Sequence, residues 1–209
     1  MNPYYSDSAV TIWHGDCREI MVRLNADVLI TDPPYGLESL AGSYGRHGAT
    51  IQHDADCMVR DGVLQLWGAR PALVFGTPRL PEPPGTWNHR LVWDKAEPGM
   101  NGGPWRYTHE LIFVRGDGWV RISNGSFSIL KYPTQNGAVD RHIHPHKKPT
   151  NLMAALVGAS PPGTILDPFM GSGTTLRAAK DLGRKAIGIE IEERYCEIAA
   201  KRMAQEVLL

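Results

Sequence analysis

The sequence predicts an α/β fold in which helices cover both faces of a mostly parallel β-sheet. Apolar runs such as residues 27–31 are nearly continuous, as in strands that are buried on both faces of a parallel sheet. Strand-like runs also alternate along the chain with segments of helical periodicity. With 209 residues, of which 42% are apolar, the chain can bury one full core. We therefore expect a single domain over residues 1–209.

The first 114 residues contain seven predicted elements. Strands are predicted at 9–13, 27–31, 72–75, 89–93 and 110–114, and helices at 17–24 and 56–67. Pro33 and Pro34 end the second strand, because proline lacks a backbone N–H. Residues 36–55 contain four glycines and little periodicity, which predicts a long mobile loop.

The C-terminal part of the chain continues the alternation of strands and helices. Helices are predicted at 151–157, 174–182 and 192–207, and strands at 163–166 and 185–189. Residues 115–143 are basic and show no clear period, so the sequence assigns them no element.

Charge is distributed unevenly, although the formal net charge is zero. Residues 1–40 carry a net charge of −4, whereas residues 115–148 carry +4. A neutral protein with a basic segment can bind phosphates on one face. The composition is therefore compatible with a nucleic-acid partner.

No pattern indicates a disulfide, a metal site or a membrane segment. The three cysteines lie far apart and form no Cys-x-x-Cys pair (Cys17, Cys57, Cys196). The histidines at 142, 144 and 146 would share one face of a strand, but we expect no metal there. The N-terminus does not resemble a signal peptide, and no apolar run reaches the ~18 residues of a membrane span. We expect a cytoplasmic protein.

A glycine-rich turn follows the strand predicted at 163–166. Gly171 and Gly173 lie in the segment DPFMGSGTT (167–175), where a helix begins, and a helix N-terminus favours a carboxylate or phosphate. Glu190 follows the next strand, 17 residues after Gly173. An acidic residue at about that distance suits the hydroxyl groups of a nucleoside ribose. The two features together predict a site for a nucleoside-type ligand.

The segment Asp32-Pro33-Pro34-Tyr35 follows a buried strand, where ligands bind in open α/β sheets. An exocyclic amine of a base is a poor nucleophile, because its lone pair is delocalised into the ring. A carboxylate and a rigidly held carbonyl that accept its two N–H groups would direct the lone pair at a methyl donor. Tyr35 could stack on a base flipped out of the duplex. These four residues are predicted to be catalytic.

The motifs together resemble the β-type DNA amino-methyltransferases, the bacterial and phage enzymes that form N6-methyladenine or N4-methylcytosine. The resemblance covers nearly the whole chain and rests on segments 15–17, 31–36, 90–95, 109–114, 144–149, 167–175 and 187–195. Their order, with the catalytic segment before the glycine motif, is that of the β type. The resemblance implies a Rossmann-like class I methyltransferase fold, with a mostly parallel seven-stranded sheet and helices on both faces.

The resemblance also implies S-adenosyl-L-methionine as cofactor, DNA as partner and N6 of adenine as the acceptor. Asp32 and the Pro33 carbonyl would hold the amine, Tyr35 would stack on the ring, and the transfer would need no metal. The residues implied in cofactor binding are Asp16, Cys17, His144, Lys148, Asp167, Phe169, Gly171, Ser172, Gly173, Thr174 and Glu190. The sequence leaves open whether the protein forms a homodimer and whether it has a restriction endonuclease as partner.

The chain departs from the family in its recognition region. Family members usually carry a sizeable insertion before the His-Pro-x-x-Lys-Pro element, but residues 115–143 number only 29. Because base readout needs several side chains held in a groove, we expect short or relaxed sequence specificity. The predicted DNA contacts are Tyr44, Arg46, His47, Arg121, Lys131 and Arg141.

Other functions account for less of the sequence. Methylation at N4 of cytosine, or of a base in RNA, is the nearest alternative. A non-catalytic, DNA-binding partner subunit would not need an intact Asp32, Gly171, Gly173 and Glu190. A nicotinamide-dependent dehydrogenase would leave the Asp-Pro-Pro-Tyr segment without a role.

Overall fold

The computed structural model describes residues 2–34, 57–96, 107–122, 128–134 and 148–205. These residues contain nine strands and five α-helices. The strands are β1 (Tyr5–Ser6), β2 (Val10–His14), β3 (Val28–Thr31), β4 (Ala72–Gly76), β5 (His89–Asp94), β6 (His109–Arg115), β7 (Ile129–Lys131), β8 (Ile165–Asp167) and β9 (Ala186–Glu190). The helices are α1 (Cys17–Ile20), α2 (Met58–Trp67), α3 (Thr150–Gly158), α4 (Thr174–Asp181) and α5 (Glu193–Met203).

The strands form one sheet in the order β1-β2-β9-β8-β3-β4-β6-β5-β7. Five of its neighbouring pairs are parallel and three are antiparallel, which confirms the mostly parallel sheet. The described part of the chain contributes nine strands where seven were expected. Strands β1 and β7, of two and three residues, extend the seven at the two edges, and they are too short to show a period in the sequence.

Helices pack on both faces of the sheet, as predicted. Successive strand residues point to opposite faces, so Val28 and Ile30 pack with α3, α4 and α5. Leu29, between them, packs in the second cluster with α1 and α2. Because β3 is covered on both sides, all four of its residues are buried, which explains its unbroken apolar sequence.

The strand order reverses between β3 and β8, which lie side by side in the sheet. Strand β3 leads through α2 to β4 on one side, and β8 leads through α4 to β9 on the other. Ligands of open α/β sheets bind at the carboxyl ends of the strands at such a reversal. Strand β6 runs antiparallel to β4 and β5, so its N-terminal residue His109 lies at this carboxyl edge too.

Several segments differ from the prediction: the helix predicted at 192–207 ends at Met203, and the strand predicted at 163–166 begins at Ile165. The helix predicted at 17–24 is shorter, because α1 passes into a 3₁₀ turn over Met21–Arg23. Strand β7 lies in the basic segment that showed no pattern. The loop predicted at 36–55 falls outside the described residues. Within the described ranges, no helix is long and apolar enough to cross a membrane.

Candidate active site

Four acidic residues of the predicted site follow neighbouring strands of the sheet. Asp16, Asp32, Asp167 and Glu190 lie at or just after the ends of β2, β3, β8 and β9. These strands are adjacent and parallel, so their carboxyl ends meet at one edge. The fold therefore brings the predicted catalytic segment and the glycine motif together, although Asp32 and Asp167 are 135 residues apart in the sequence.

A buried hydrogen bond joins the two halves of the site. The Thr31 hydroxyl donates to Asp167 Oδ1 across 2.7 Å, and Thr31 directly precedes Asp32. The same carboxyl oxygen accepts the backbone N–H of Phe169 at 3.2 Å, and the Thr175 side chain also bonds Asp167. Asp167 thus links the catalytic strand to the glycine turn and to the start of α4.

Asp167 is a buried carboxyl group held by neutral donors. It is only 2% exposed, and burial raises its pKa to about 6, against the opposing effect of its hydrogen bonds to Thr175 and Thr31. A carboxylate in such a position is stabilised further by a cation. The methionine end of S-adenosylmethionine supplies an ammonium group, so the chemistry of this position fits that cofactor.

Glu190 holds the glycine turn in place. Its two carboxyl oxygens accept the backbone N–H groups of Gly171 and Glu192, each at 2.9 Å. Gly173 begins α4 with a φ of +78°, and a Cβ atom there would lie 3.0 Å from the Ala199 Cβ atom. The turn therefore needs glycine at position 173. Burial raises the pKa of Glu190, while the two backbone donors oppose this.

Asp16 forms the N-terminal cap of α1. Its side chain accepts the backbone N–H of Arg18 at 2.8 Å, and the Arg18 guanidinium binds both of its carboxyl oxygens. Cys17 is buried among apolar residues, and burial raises the pKa of its thiol to about 12. The cysteine side chain is therefore part of the apolar wall of this region, and the Cys17 carbonyl accepts the Met21 N–H.

Lys148 lies against the catalytic segment. Its ammonium group forms an ion pair with the Asp32 carboxylate and a second one, at 3.1 Å, with Glu110 Oε2. Glu110 also pairs with Lys95 at 2.6 Å. The resemblance implied a role for Lys148 at the methionine end of the cofactor, and this role stays a prediction. In this structure the lysine contacts Asp32, in the segment predicted to hold the target amine.

Burial and charge have opposite effects on the pKa values of Lys148 and Glu110, which belong to the network of ion pairs with Asp32 and Lys95. Burial by itself lowers the pKa of Lys148, but the carboxylates of Asp32 and Glu110 raise it above the ordinary value. Burial likewise raises the pKa of Glu110, and the two lysines more than offset this, so the net pKa is lowered. Lys148 and Glu110 are therefore both charged at neutral pH.

The remaining predicted residues divide into three groups. Pro33 is buried and Pro34 is half-buried beside Asp32, and Phe169, Ser172 and Thr174 lie in the glycine turn or at the start of α4. Lys131 is exposed at the carboxyl end of β7, the edge that holds Asp32. The predicted residues outside the described part of the chain are Tyr35, Tyr44, Arg46, His47, Arg141 and His144.

Arg121 lies away from the catalytic segment. Strand β6 runs towards the amino edge of the sheet, and Val120, which follows this strand, donates its backbone N–H to the Ala159 carbonyl after α3. The structure therefore does not bring Arg121 to Asp32, because an antiparallel strand carries the chain in the opposite direction. A contact between Arg121 and DNA stays a prediction, at a distance from the catalytic segment.

Sequence reasoning assigned no role to Thr31, Arg18, Lys95 or Glu110. One feature of the sequence could have indicated a role for Glu110: it is the acidic first residue of the otherwise apolar strand predicted at 110–114. The structure also places two aromatic rings under Lys148: the ammonium lies 4.9 Å from the Phe75 ring centroid and 5.7 Å from that of Trp93.

Comparison with known proteins assigns the family. A family model described as DNA methylase matches residues 65–201. The type II methyltransferase M.ScaI of Streptomyces caespitosus is 42% identical, and the alignment covers 98% of this chain and 84% of that protein. The chain therefore belongs to the DNA methylase family, whose members use S-adenosylmethionine.

Solved structures share the fold. The crystal structure of an M1.HpyAVI–SAM complex superposes with a TM-score of 0.68, at 23% identity, over 94% of this chain and all of that one. PvuII DNA methyltransferase, described as cytosine-N4-specific, gives a TM-score of 0.69 at 16% identity, over 99% of this chain and 90% of that one. These similarities confirm the class I methyltransferase fold.

Replacing Thr31 by valine should destabilise the protein in a pH-dependent way. The exchange keeps the shape but removes a donor from a buried carboxyl, which costs about 1–3 kcal/mol of unfolding free energy. Because the folded-state pKa of Asp167 is raised to about 6, the carboxyl is ionised above that pH and protonated below it. The loss should therefore grow as the pH rises through 6.

Chemical denaturation of both proteins at pH 5 and pH 8 measures this difference. Thr11→Val on β2 is the matched control, since the Thr11 hydroxyl has an exposed hydroxyl partner at 3.3 Å. A loss that is equal at the two pH values would show that the Thr31 hydroxyl does not act through the Asp167 charge.

Proposed function

We propose that this protein transfers the methyl group of S-adenosylmethionine to N6 of adenine in DNA. The observation that carries the proposal is the position of Asp32 and Pro33. They follow a buried central strand and are joined through Thr31 to the Asp167 carboxyl of the glycine motif. The catalytic segment and the cofactor motif thus form adjacent parts of one site.

The acceptor half of the site holds the target amine. The Asp32 carboxylate and the Pro33 carbonyl accept its two N–H groups, which directs the nitrogen lone pair away from the ring. Proline is suited to this role because it restricts the backbone and adds no competing N–H. Asp32 is 29% exposed, so a base can reach it. Positioning and electrostatics account for most of the catalysis.

The donor half holds the cofactor. When bound, S-adenosylmethionine supplies a methyl group on a positively charged sulfur. Glu190 can accept hydrogen bonds from the ribose hydroxyls, since a carboxylate with about four acceptor positions retains capacity beside its backbone donors. Asp167 stabilises a cationic group of the methionine end, and Asp16 and the backbone near Cys17 contact the adenine.

The reaction is a direct displacement. The bond between the methyl carbon and sulfur breaks as the bond to the base nitrogen forms. The nitrogen then releases one proton, which Asp32 can accept and pass to water. No covalent enzyme intermediate is needed.

Adenine is favoured over cytosine by aspartate at position 32, and N4 of cytosine is the alternative that the test must separate. Within this proposal the protein acts in the bacterial or phage-infected cytoplasm, as part of DNA modification. The short segment 115–143 supports short or relaxed specificity. The alignment with M.ScaI runs over 270 positions, so that relative contains segments that this chain of 209 residues lacks.

Replacing Asp32 by alanine should abolish most methyl transfer. Loss of one preorganised group that stabilises the reacting centre costs about 100-fold or more in rate. The measurement uses labelled S-adenosylmethionine and unmethylated DNA, followed by digestion to nucleosides and mass spectrometry. Asp181→Ala is the control, because Asp181 pairs with Arg177 on the surface of α4.

The product nucleoside decides between the acceptors. N6-methyldeoxyadenosine from the wild type supports the proposal, whereas label in N4-methyldeoxycytidine would overturn the choice of adenine. Cofactor binding without any transfer by the wild type would favour a non-catalytic partner subunit.

Cofactor affinity should fall as the pH drops below about 6. Burial raises the Asp167 pKa to about 6, so the carboxyl loses its charge below that pH and no longer attracts the cationic end of the cofactor. Well below pH 6, the dissociation constant of the cofactor should rise about tenfold for each unit by which the pH falls. Isothermal titration between pH 5 and pH 8 measures this.

Asp167→Asn is the matched variant, since it is neutral at every pH in this range. It should bind more weakly at pH 8 and lose most of the pH dependence. An unchanged slope in this variant would assign the effect to another group, such as Glu190.

Sequence discrimination should extend over only a few base pairs. A short recognition segment can place few side chains in a groove. Titration of the protein on defined duplexes, each with one base pair changed, measures the length of the site. Strong discrimination by the monomer over about six base pairs or more would contradict relaxed specificity.

A further inference from the structure

Lys148 connects the catalytic aspartate to a second carboxylate. The lysine side chain is 8% exposed, and its ammonium contacts both Asp32 and Glu110. The two carboxylates come from different strands, β3 and β6, whose ends meet at the carboxyl edge of the sheet. Lys148 precedes α3, and the Pro149 carbonyl anchors the first turn by accepting the Met153 N–H at 3.1 Å.

The contact with Asp32 conflicts with the role proposed for that residue. A carboxylate oxygen that holds an ammonium is partly occupied, because the charge-assisted hydrogen bond is stronger than one to a neutral amine. A target amine that bonds this oxygen, Asp32 Oδ2, must therefore compete with Lys148 or displace it. Displacement into an apolar space would be costly, since a buried charge without a partner is strongly unfavourable.

Glu110 provides an alternative partner for the displaced ammonium. Its Oε2 atom already lies 3.1 Å from Lys148 Nζ, so a small side-chain rotation is sufficient. Lys95 binds the other oxygen at 2.6 Å and keeps Glu110 ionised. The Phe75 and Trp93 rings, at 4.9 and 5.7 Å from the ammonium, offer a further favourable surface along this short path.

We propose that Glu110 is a positioning residue that draws the Lys148 ammonium away from Asp32 when the target amine binds. This inference rests on the proposed function, because it concerns the acceptance of an amine by Asp32. In the resting protein Lys148 neutralises and orients the Asp32 carboxylate. In the DNA complex Glu110 holds the ammonium, and the Asp32 oxygen becomes available to the amine.

The proposal requires that Glu110 acts through Lys148. In Glu110→Gln the ammonium loses the charge of Glu110 and keeps its ion pair with Asp32, so the amine displaces it less readily. We expect the single-turnover rate of methylation, at saturating DNA and cofactor, to fall about tenfold. The cofactor dissociation constant should stay unchanged, because the substitution affects the acceptor half.

A double-mutant cycle with Lys148→Met tests this dependence. When the ammonium is already removed, the Glu110→Gln exchange has little left to change. Its effect on the rate, relative to Lys148→Met alone, should therefore fall from about tenfold to less than about threefold. An equal effect of Glu110→Gln in both backgrounds would overturn the proposal, as would a rate for Glu110→Gln that equals that of the wild type.

Two further variants control for general effects of losing a carboxylate. Glu82→Gln breaks an exposed pair with Arg90, at 2.7 Å, and should leave the rate unchanged. Glu110→Asp keeps the charge but shortens the side chain, so a rate reduced by less than about tenfold relative to the wild type supports the proposal even if the glutamine variant folds poorly. A rate for Glu110→Asp below that of a folded Glu110→Gln would contradict it.

The wild-type measurement separates this inference from the proposed function. Without methyl transfer by the wild type, the proposed function itself fails. If the wild type is active and the cycle is additive, the function stands and the role of Glu110 does not. Weaker cofactor binding in Lys148→Met, together with an additive cycle, would instead assign Lys148 to the methionine end of the cofactor.

Discussion

The buried hydrogen bond from Thr31 to Asp167 is the contact on which the site depends. It lies where β3 and β8 meet and the strand order reverses, so it joins the segment before Asp32 to the segment before the glycine turn. The same carboxyl organises the turn through Phe169 and Thr175. Within the proposed function, a change in this one contact would alter the distance between the methyl donor and its acceptor, to which displacement rates are sensitive.

The two halves of the site handle buried charge differently. In the donor half, Asp167 and Glu190 are held by hydroxyl and backbone donors, and burial raises the pKa of both. Such carboxyls suit a ligand that brings positive charge and hydroxyl groups. In the acceptor half, the lysines balance the carboxylates of Asp32 and Glu110 within the protein. A neutral base can enter there without adding charge, because only a rearrangement of existing pairs is required.

Much of the fold was predictable because the strongest signals are local. Strand β3 is apolar at nearly every position since both of its faces are covered, and the turn before α4 needs glycine for its backbone conformation. The elements that differ from the prediction lack such signals. Strand β7 has three residues and gains its place from pairing with β5, and α1 ends early in a 3₁₀ turn. The direction of β6, which carries the chain away from Asp32 towards Arg121, also depends on how β6 pairs with β4 and β5.

By itself the sequence determined the family and predicted the chemistry of the candidate site. Asp32 with its prolines, the glycine turn and Glu190 each carry a residue type and a local spacing that a particular reaction requires. Only the tertiary structure decided which charges meet, because ion pairs across a sheet edge depend on strand order and register. Lys148 lies 116 residues from Asp32, and no local pattern links it to Asp32 or to Glu110. The segment Asp32-Pro33-Pro34 therefore predicts the reaction, whereas the packing of β3, β6 and the start of α3 decides how the Asp32 carboxylate is held.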